Sequence, residues 1–108
     1  MNLLFVCSQN ISRSPTGETV FSKYEGIKAI GCGTRFDAER PISGDLIEWA
    51  DVIFVMEKSH QHEVSQKFNA LLQDKKLICL DIPDMYPRMD PTLVHILEEK
   101  VARHILLK

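Results

Sequence analysis

Four short runs along the chain are continuously apolar, and the stretches between them alternate apolar and polar positions at helical spacing. Asn2 to Cys7, "NLLFVC", is a run of strand length. Ser14 followed by Pro15 reads as a helix start, with Ser as cap and Pro in the first turn, and the helix is expected to reach about Tyr24 before Gly26. Ile27 to Cys32 predicts a second, weaker strand, and Gly33 to Pro41 a loop. A short helix over Ser43 to Ala50 precedes the buried strand "DVIFVM", Asp51 to Met56. Val64, Phe68, Leu71 and Leu72 predict a helix from about Ser59 to Leu72. "KLICL", Lys76 to Leu80, is the fourth strand. After the loop "DIPDMYPRMDP" a last helix is expected from Pro91 to near Leu106, with Leu93, Ile96, Leu97, Val101 and Ile105 on one face.

Strands alternating with helices imply an α/β fold, a parallel sheet covered on both faces. Right-handed crossovers leave few arrangements, and the expected one is a four-stranded sheet of order 2-1-3-4 in a three-layer sandwich. Ligands of such sheets bind beyond the carboxyl ends of the strands, where the strand order reverses. The first strand lies at that reversal and ends at Cys7. The following "CSQNISRS" is therefore the expected binding loop.

A length of 108 residues suits a single domain, with 44% hydrophobic and 26% charged residues. A formal net charge of −2 argues against nucleic acid or an anionic membrane as a partner held by bulk charge, so any anion site must be local. Three cysteines without CxxC spacing form neither a disulfide framework nor a zinc site. His60 and His62 lie two apart on a predicted helix, on different faces, so no metal pair is expected. No metal or cofactor is implied. With no leader-like or spanning segment, the chain reads as cytoplasmic with reduced thiols.

The loop supplies the chemistry. A segment entering a helix N-terminus turns backbone N–H groups toward an anion, and the helix dipole adds positive potential. The Arg13 guanidinium would complete a cage for a phosphate or other oxyanion. The same field stabilises a thiolate at Cys7, to which Ser14 can add a hydroxyl hydrogen bond. Read alone, these residues leave open a catalytic cysteine, a non-catalytic oxyanion-binding module, and inert packing of Cys7.

"FVCSQNISRSP" resembles the phosphate-binding loop of the low-molecular-weight protein tyrosine phosphatases, V-C-x-G-N-x-C-R-S-P. Cys7, Asn10, Arg13, Ser14 and Pro15 match; Gln9 stands for the usual glycine and Ser12 for the usual second cysteine. "GCGT", Gly31 to Thr34, is similar to the family's S-A-G-T. "ERPISGDLIEWADVIFVMEKSH" resembles its stretch R-x-L-x-x-x-D-L-x-x-x-D-x-I-x-x-M-D-x-S-N. "IPDMY", Ile82 to Tyr86, is similar to the late D-P-Y segment, with Met85 in place of proline. The chain is shorter than typical members, lacking material after "GCGT" and before "KLICL", where the family builds part of its pocket wall.

The resemblance implies a metal-free cysteine-dependent phosphomonoesterase acting on a phosphorylated protein or small aryl phosphate. Cys7 would be the nucleophile, Arg13 the oxyanion ligand and Asp84 the general acid. Ser8, Gln9, Asn10, Ile11, Ser12 and Ser14 would form the phosphate loop, with Tyr86 at the pocket rim. A thiol-coupled arsenate reductase uses a similar loop but needs relay cysteines, and residues 57 to 78 contain none. The 2-1-3-4 order also sets Cys32 near Cys7, which predicts a resolving thiol if the pair can bridge, and a small packing residue otherwise.

Overall fold

The structure, a computed structural model, describes residues 1–107. Four parallel strands, β1 (Asn2–Cys7), β2 (Lys28–Gly33), β3 (Val52–Val55) and β4 (Lys76–Cys79), form one sheet of order β2-β1-β3-β4, as the alternation of elements predicts. Four α-helices cover it: α1 (Arg13–Phe21), α2 (Gly44–Trp49), α3 (Lys58–Phe68) and α4 (Pro91–Ala102). Among the described residues no helix is long and apolar enough to cross a membrane.

The alternation of side chains along β1 divides the interior into two cores. Leu3, Phe5 and Cys7 face the side that also buries Phe21, Phe54, Leu93, Leu97 and Val101, beneath α1 and α4. Phe5 stacks between Phe21 and Phe54, with ring centroids at 5.3 and 5.4 Å. Leu4 and Val6 face the other side with Cys32, Ile47, Ile53 and Val64, beneath α2 and α3. Both faces of β1 are dry, which is why its sequence shows a continuous apolar run rather than alternation.

Helix ends depart from expectation where local hydrogen bonds override the apolar pattern. α1 begins at Arg13, so Ser14 lies inside its first turn and is not the cap. Its end comes at Phe21, because Lys23 and Tyr24 donate to the carbonyls of Val20 and Phe21 and tighten the chain toward Gly26, at φ 81°. α3 stops at Phe68 and passes into a 3₁₀ turn, Asn69–Leu71. α4 ends at Ala102, short of Leu106. Its start is as the sequence implies: Asp90 accepts from the Thr92 N–H at 2.8 Å, with Pro91 in the first turn.

Candidate active site

The loop Ser8–Ser12 leaves β1 at the centre of the sheet and enters α1 at Arg13. Its outer side is fastened to the segment after β2: the carbonyls of Cys7, Ser8 and Gln9 accept from the N–H groups of Thr34, Arg35 and Glu39 at 2.9, 3.0 and 3.2 Å. With those carbonyls spent outward, the N–H groups of Ser8–Ser12 donate to no backbone carbonyl among the described residues. Asn10, at φ 59°, makes the left-handed reversal that such a concavity of N–H groups requires.

Two glycines let the loop lie on the sheet. A Cβ on Gly33 would meet the Ser8 carbonyl oxygen at 2.4 Å, and one on Gly31 the Ser14 carbonyl oxygen at 2.5 Å. Glycine in a strand interior marks this kind of close backbone approach. The "GCGT" stretch thus serves as the bed of the loop.

Cys7 is buried at the end of β1, and its Sγ lies 2.9 Å from Ser14 Oγ. Ser14 Oγ also donates to Asn10 Oδ1 at 2.7 Å. Ser14 has a single proton, so while it donates to Asn10 the Cys7 thiol donates to Ser14; turned to the sulfur, the same proton supports a thiolate. Asn10 and Ser14 therefore stand behind the sulfur rather than at the cleft surface.

Arg13 is 2% exposed, although it carries an obligatory charge. Its burial is supported by Nη1, which donates to Glu57 Oε2 at 2.7 Å and to the Ile82 carbonyl at 2.8 Å. These two bonds fix the guanidinium plane. Nε, on the other edge, is a buried polar atom without a hydrogen-bond partner, and the nearest counter-charge is Asp84 Oδ1 at 3.8 Å. A buried donor left unmade costs roughly 1–3 kcal/mol, so this edge favours an anion.

Cys7, Ser8, Gln9, Ile11, Ser12, Arg13 and Asp84 line one cleft of about 490 Å³. Thr34, Arg35 and Glu63 line it as well, and none of these was expected from the sequence. Asp84 is 68% exposed and stands at the mouth. Tyr86 does not line the cleft: it packs, half-buried, against the core beneath α1 and α4, which corrects its placement at the rim.

Three further residues were missed. Glu57 holds Arg13, and its position in the motif M-D-x-S-N was the available signal. Buried Thr16 donates to the Ser12 carbonyl at 2.6 Å and accepts from the Met89 N–H at 2.9 Å, tying the loop to the segment that carries Asp84. His60 is buried against Ser8, its Nε2 2.8 Å from Ser8 Oγ. Burial, and then the Arg13 guanidinium, push its imidazole below the usual range, with Glu57, Glu63 and Asp84 opposing. Among the described residues no cluster of His, Cys, Asp and Glu could hold a metal ion.

The pairing of Cys7 with Cys32 fails on register. Cys7 lies opposite Gly33 and Cys32 opposite Val6, so Cys32 points into the α2 and α3 side of the sheet while Cys7 points to the other. All three cysteines are unbridged, and burial together with the neighbouring Cys7 pushes the Cys32 thiol far above the usual range. Cys32 is a packing residue.

No protein-family model matches the sequence, and no curated protein matches it. Solved structures do match. The tyrosine phosphatase Wzb from Escherichia coli K30, in complex with phosphate, aligns at TM-score 0.74 and 22% identity over 94% of each chain. SP-PTP, a low molecular weight protein tyrosine phosphatase from Streptococcus pyogenes, aligns at TM-score 0.75 and 15% identity over 96% of this chain and 93% of its own. The YwlE arginine phosphatase from Geobacillus stearothermophilus aligns at 0.70 and 17% over 94% and 86%. The chain has the low-molecular-weight protein tyrosine phosphatase fold.

Proposed function

We propose that the protein is a cysteine-dependent phosphomonoesterase of aryl phosphates, with phosphotyrosine in a protein as the substrate class the sequence resemblance favours. One observation carries this reading: the buried, unpartnered Nε of Arg13 in the same cleft as Cys7. A phosphoryl group placed there gives Nε a partner and competes with Asp84 for it. The loop N–H groups supply the remaining donors, preorganised because their carbonyls are tied outward.

The Cys7 thiolate attacks phosphorus and forms an S–P bond as the P–O bond to the phenol breaks. Protonated Asp84, at the cleft mouth, gives its proton to the departing phenolate. Asp84, now a carboxylate, takes a proton from water, whose oxygen attacks phosphorus and releases phosphate and the thiolate. Ser14 follows the sulfur through both steps, its hydroxyl proton directed at the thiolate in the resting and product states.

The test is steady-state hydrolysis of a small aryl phosphate, of a phosphotyrosine peptide and of phosphoarginine, with and without EDTA. Phosphoarginine belongs in the panel because a protein of this fold is an arginine phosphatase. Metal-independent turnover that Cys7→Ser abolishes, with inorganic phosphate still bound, is expected. Turnover retained by Cys7→Ser would overturn the mechanism, and phosphate binding without hydrolysis of any of the three would select the oxyanion-binding module.

A further inference from the structure

His60 has no part in the chemistry above, yet both of its ring nitrogens are engaged. Nδ1 lies 3.1 Å from the backbone N–H of Glu57, which can only donate, so Nδ1 must present its lone pair. In a neutral imidazole the proton then sits on Nε2, and Nε2 lies 2.8 Å from Ser8 Oγ. The ring is 1% exposed. The charged groups around it are Arg13 from α1, Glu57 at the start of α3, Glu63 on α3, and Asp84 from the segment after β4. Desolvation leads among the influences on it and favours the neutral form.

A serine hydroxyl that accepts from Nε2–H has its own proton left to give. Ser8 is the first residue after Cys7 and lines the cleft. Glu57 meanwhile serves both sides: its N–H holds the ring and its carboxylate holds Arg13. Building on the phosphate site proposed above, we infer that His60 is a positioning residue whose Nε2–H fixes Ser8 Oγ as an acceptor, so that the Ser8 hydroxyl proton becomes a further donor to the bound oxyanion. The sequence pattern that the chain resembles has asparagine where His60 stands.

Asparagine is also the useful substitution. Its Oδ1 can keep the Glu57 N–H, preserving the start of α3, but it is too short to reach Ser8. The experiment combines imidazole ¹⁵N NMR with inorganic phosphate binding by Ser8→Ala, His60→Asn and the double variant. The neutral ring is expected as the Nε2–H form. Ser8→Ala should weaken phosphate about tenfold, as for a lost hydrogen bond to a charged group. His60→Asn should weaken it severalfold, and the double variant should bind like Ser8→Ala alone.

A ring protonated on Nδ1, unchanged phosphate affinity in Ser8→Ala, or losses that multiply in the double variant would overturn the inference. Should His60→Asn fail to fold, the wild-type tautomer and Ser8→Ala decide it. Phosphate bound with this coupling but without hydrolysis would refute the phosphatase reading and leave the His60 role standing. No phosphate binding by the wild type overturns both.

Discussion

Gly33→Ala isolates the contact between the Ser8–Ser12 loop and the sheet. Gly33 does not adopt a left-handed φ, so alanine is conformationally acceptable and its effect is purely steric. The added methyl would lie 2.4 Å from the Ser8 carbonyl oxygen, 2.7 Å from Ala38 Cβ and 3.0 Å from the Asn10 nitrogen. Two of these are backbone atoms. The Ser8 oxygen cannot yield by rotating, because Gly33 is held on both sides by bonds to Arg40 and Ile42, and Ser8 by its bond to Arg35.

Restoring ordinary contact requires the loop to move by about 1 Å, a form of overpacking that costs about 1–3 kcal/mol. For a domain near this size that corresponds to a fall in Tm of roughly 5–20 °C. On the proposed mechanism, a displacement of about 1 Å beside Cys7 Sγ is worth about 10²-fold in turnover. The assays are thermal unfolding and aryl-phosphate hydrolysis measured on the same preparations. Gly44→Ala is the control: its methyl would lie 3.3 Å from the end of the Leu71 side chain, at the start of α2, where alanine is tolerated. Wild-type turnover and Tm in Gly33→Ala would refute the claim that the loop rests on β2.

Asp84→Asn should slow hydrolysis by about 10²–10⁴ for poor leaving groups and little for good ones; an equal effect across a series of phenols would remove Asp84 as the acid. Glu57→Ala takes from buried Arg13 its 2.7 Å partner, itself 41% exposed and so partly screened. Chemical denaturation should show a loss of about 1–3 kcal/mol, and Glu57→Gln, which keeps an acceptor, a smaller one. His60 has a depressed pKa in the folded state, so its contribution to stability is present above the unfolded value near 6.5 and is lost as pH falls through the folded value. Unfolding free energies measured from pH 7 down to 5 should therefore fall, and His60→Asn should flatten that slope.

The order of the sheet and the position of the loop were legible because they rest on apolar runs and crossover handedness, which are properties of the chain taken segment by segment. Loop position singled out Cys7 and Arg13, family resemblance singled out Asp84, and the fold brings all three to one cleft. What escaped was tertiary. Glu57 reads as an ordinary helix-start acid until Arg13 is seen buried against it. His60 and His62 read alike, two histidines on one polar helix, yet the turn of the helix buries one beside Ser8 and exposes the other. For Tyr86 the motif fixes sequence position but not the direction of the side chain, which packs beneath α1 and α4. Strand order sets the backbone of Cys32 near Cys7, but strand alternation sends the two sulfurs to opposite faces.

That opposition would set the kinetic order of any recovery from oxidation at Cys7. Cys79 also belongs to the α2 and α3 side of the sheet, so neither other thiol shares the face of Cys7. If peroxide converts Cys7 to a sulfenic acid, the next sulfur it meets must come from solution. One external thiol condenses with it, releasing water and leaving a mixed disulfide, and a second attacks that disulfide and returns the Cys7 thiol. Each step is bimolecular, so reactivation scales with thiol concentration instead of proceeding at a fixed intramolecular rate. Recovery from such oxidation is thereby set by the reductant around the protein, and not by a clock of its own.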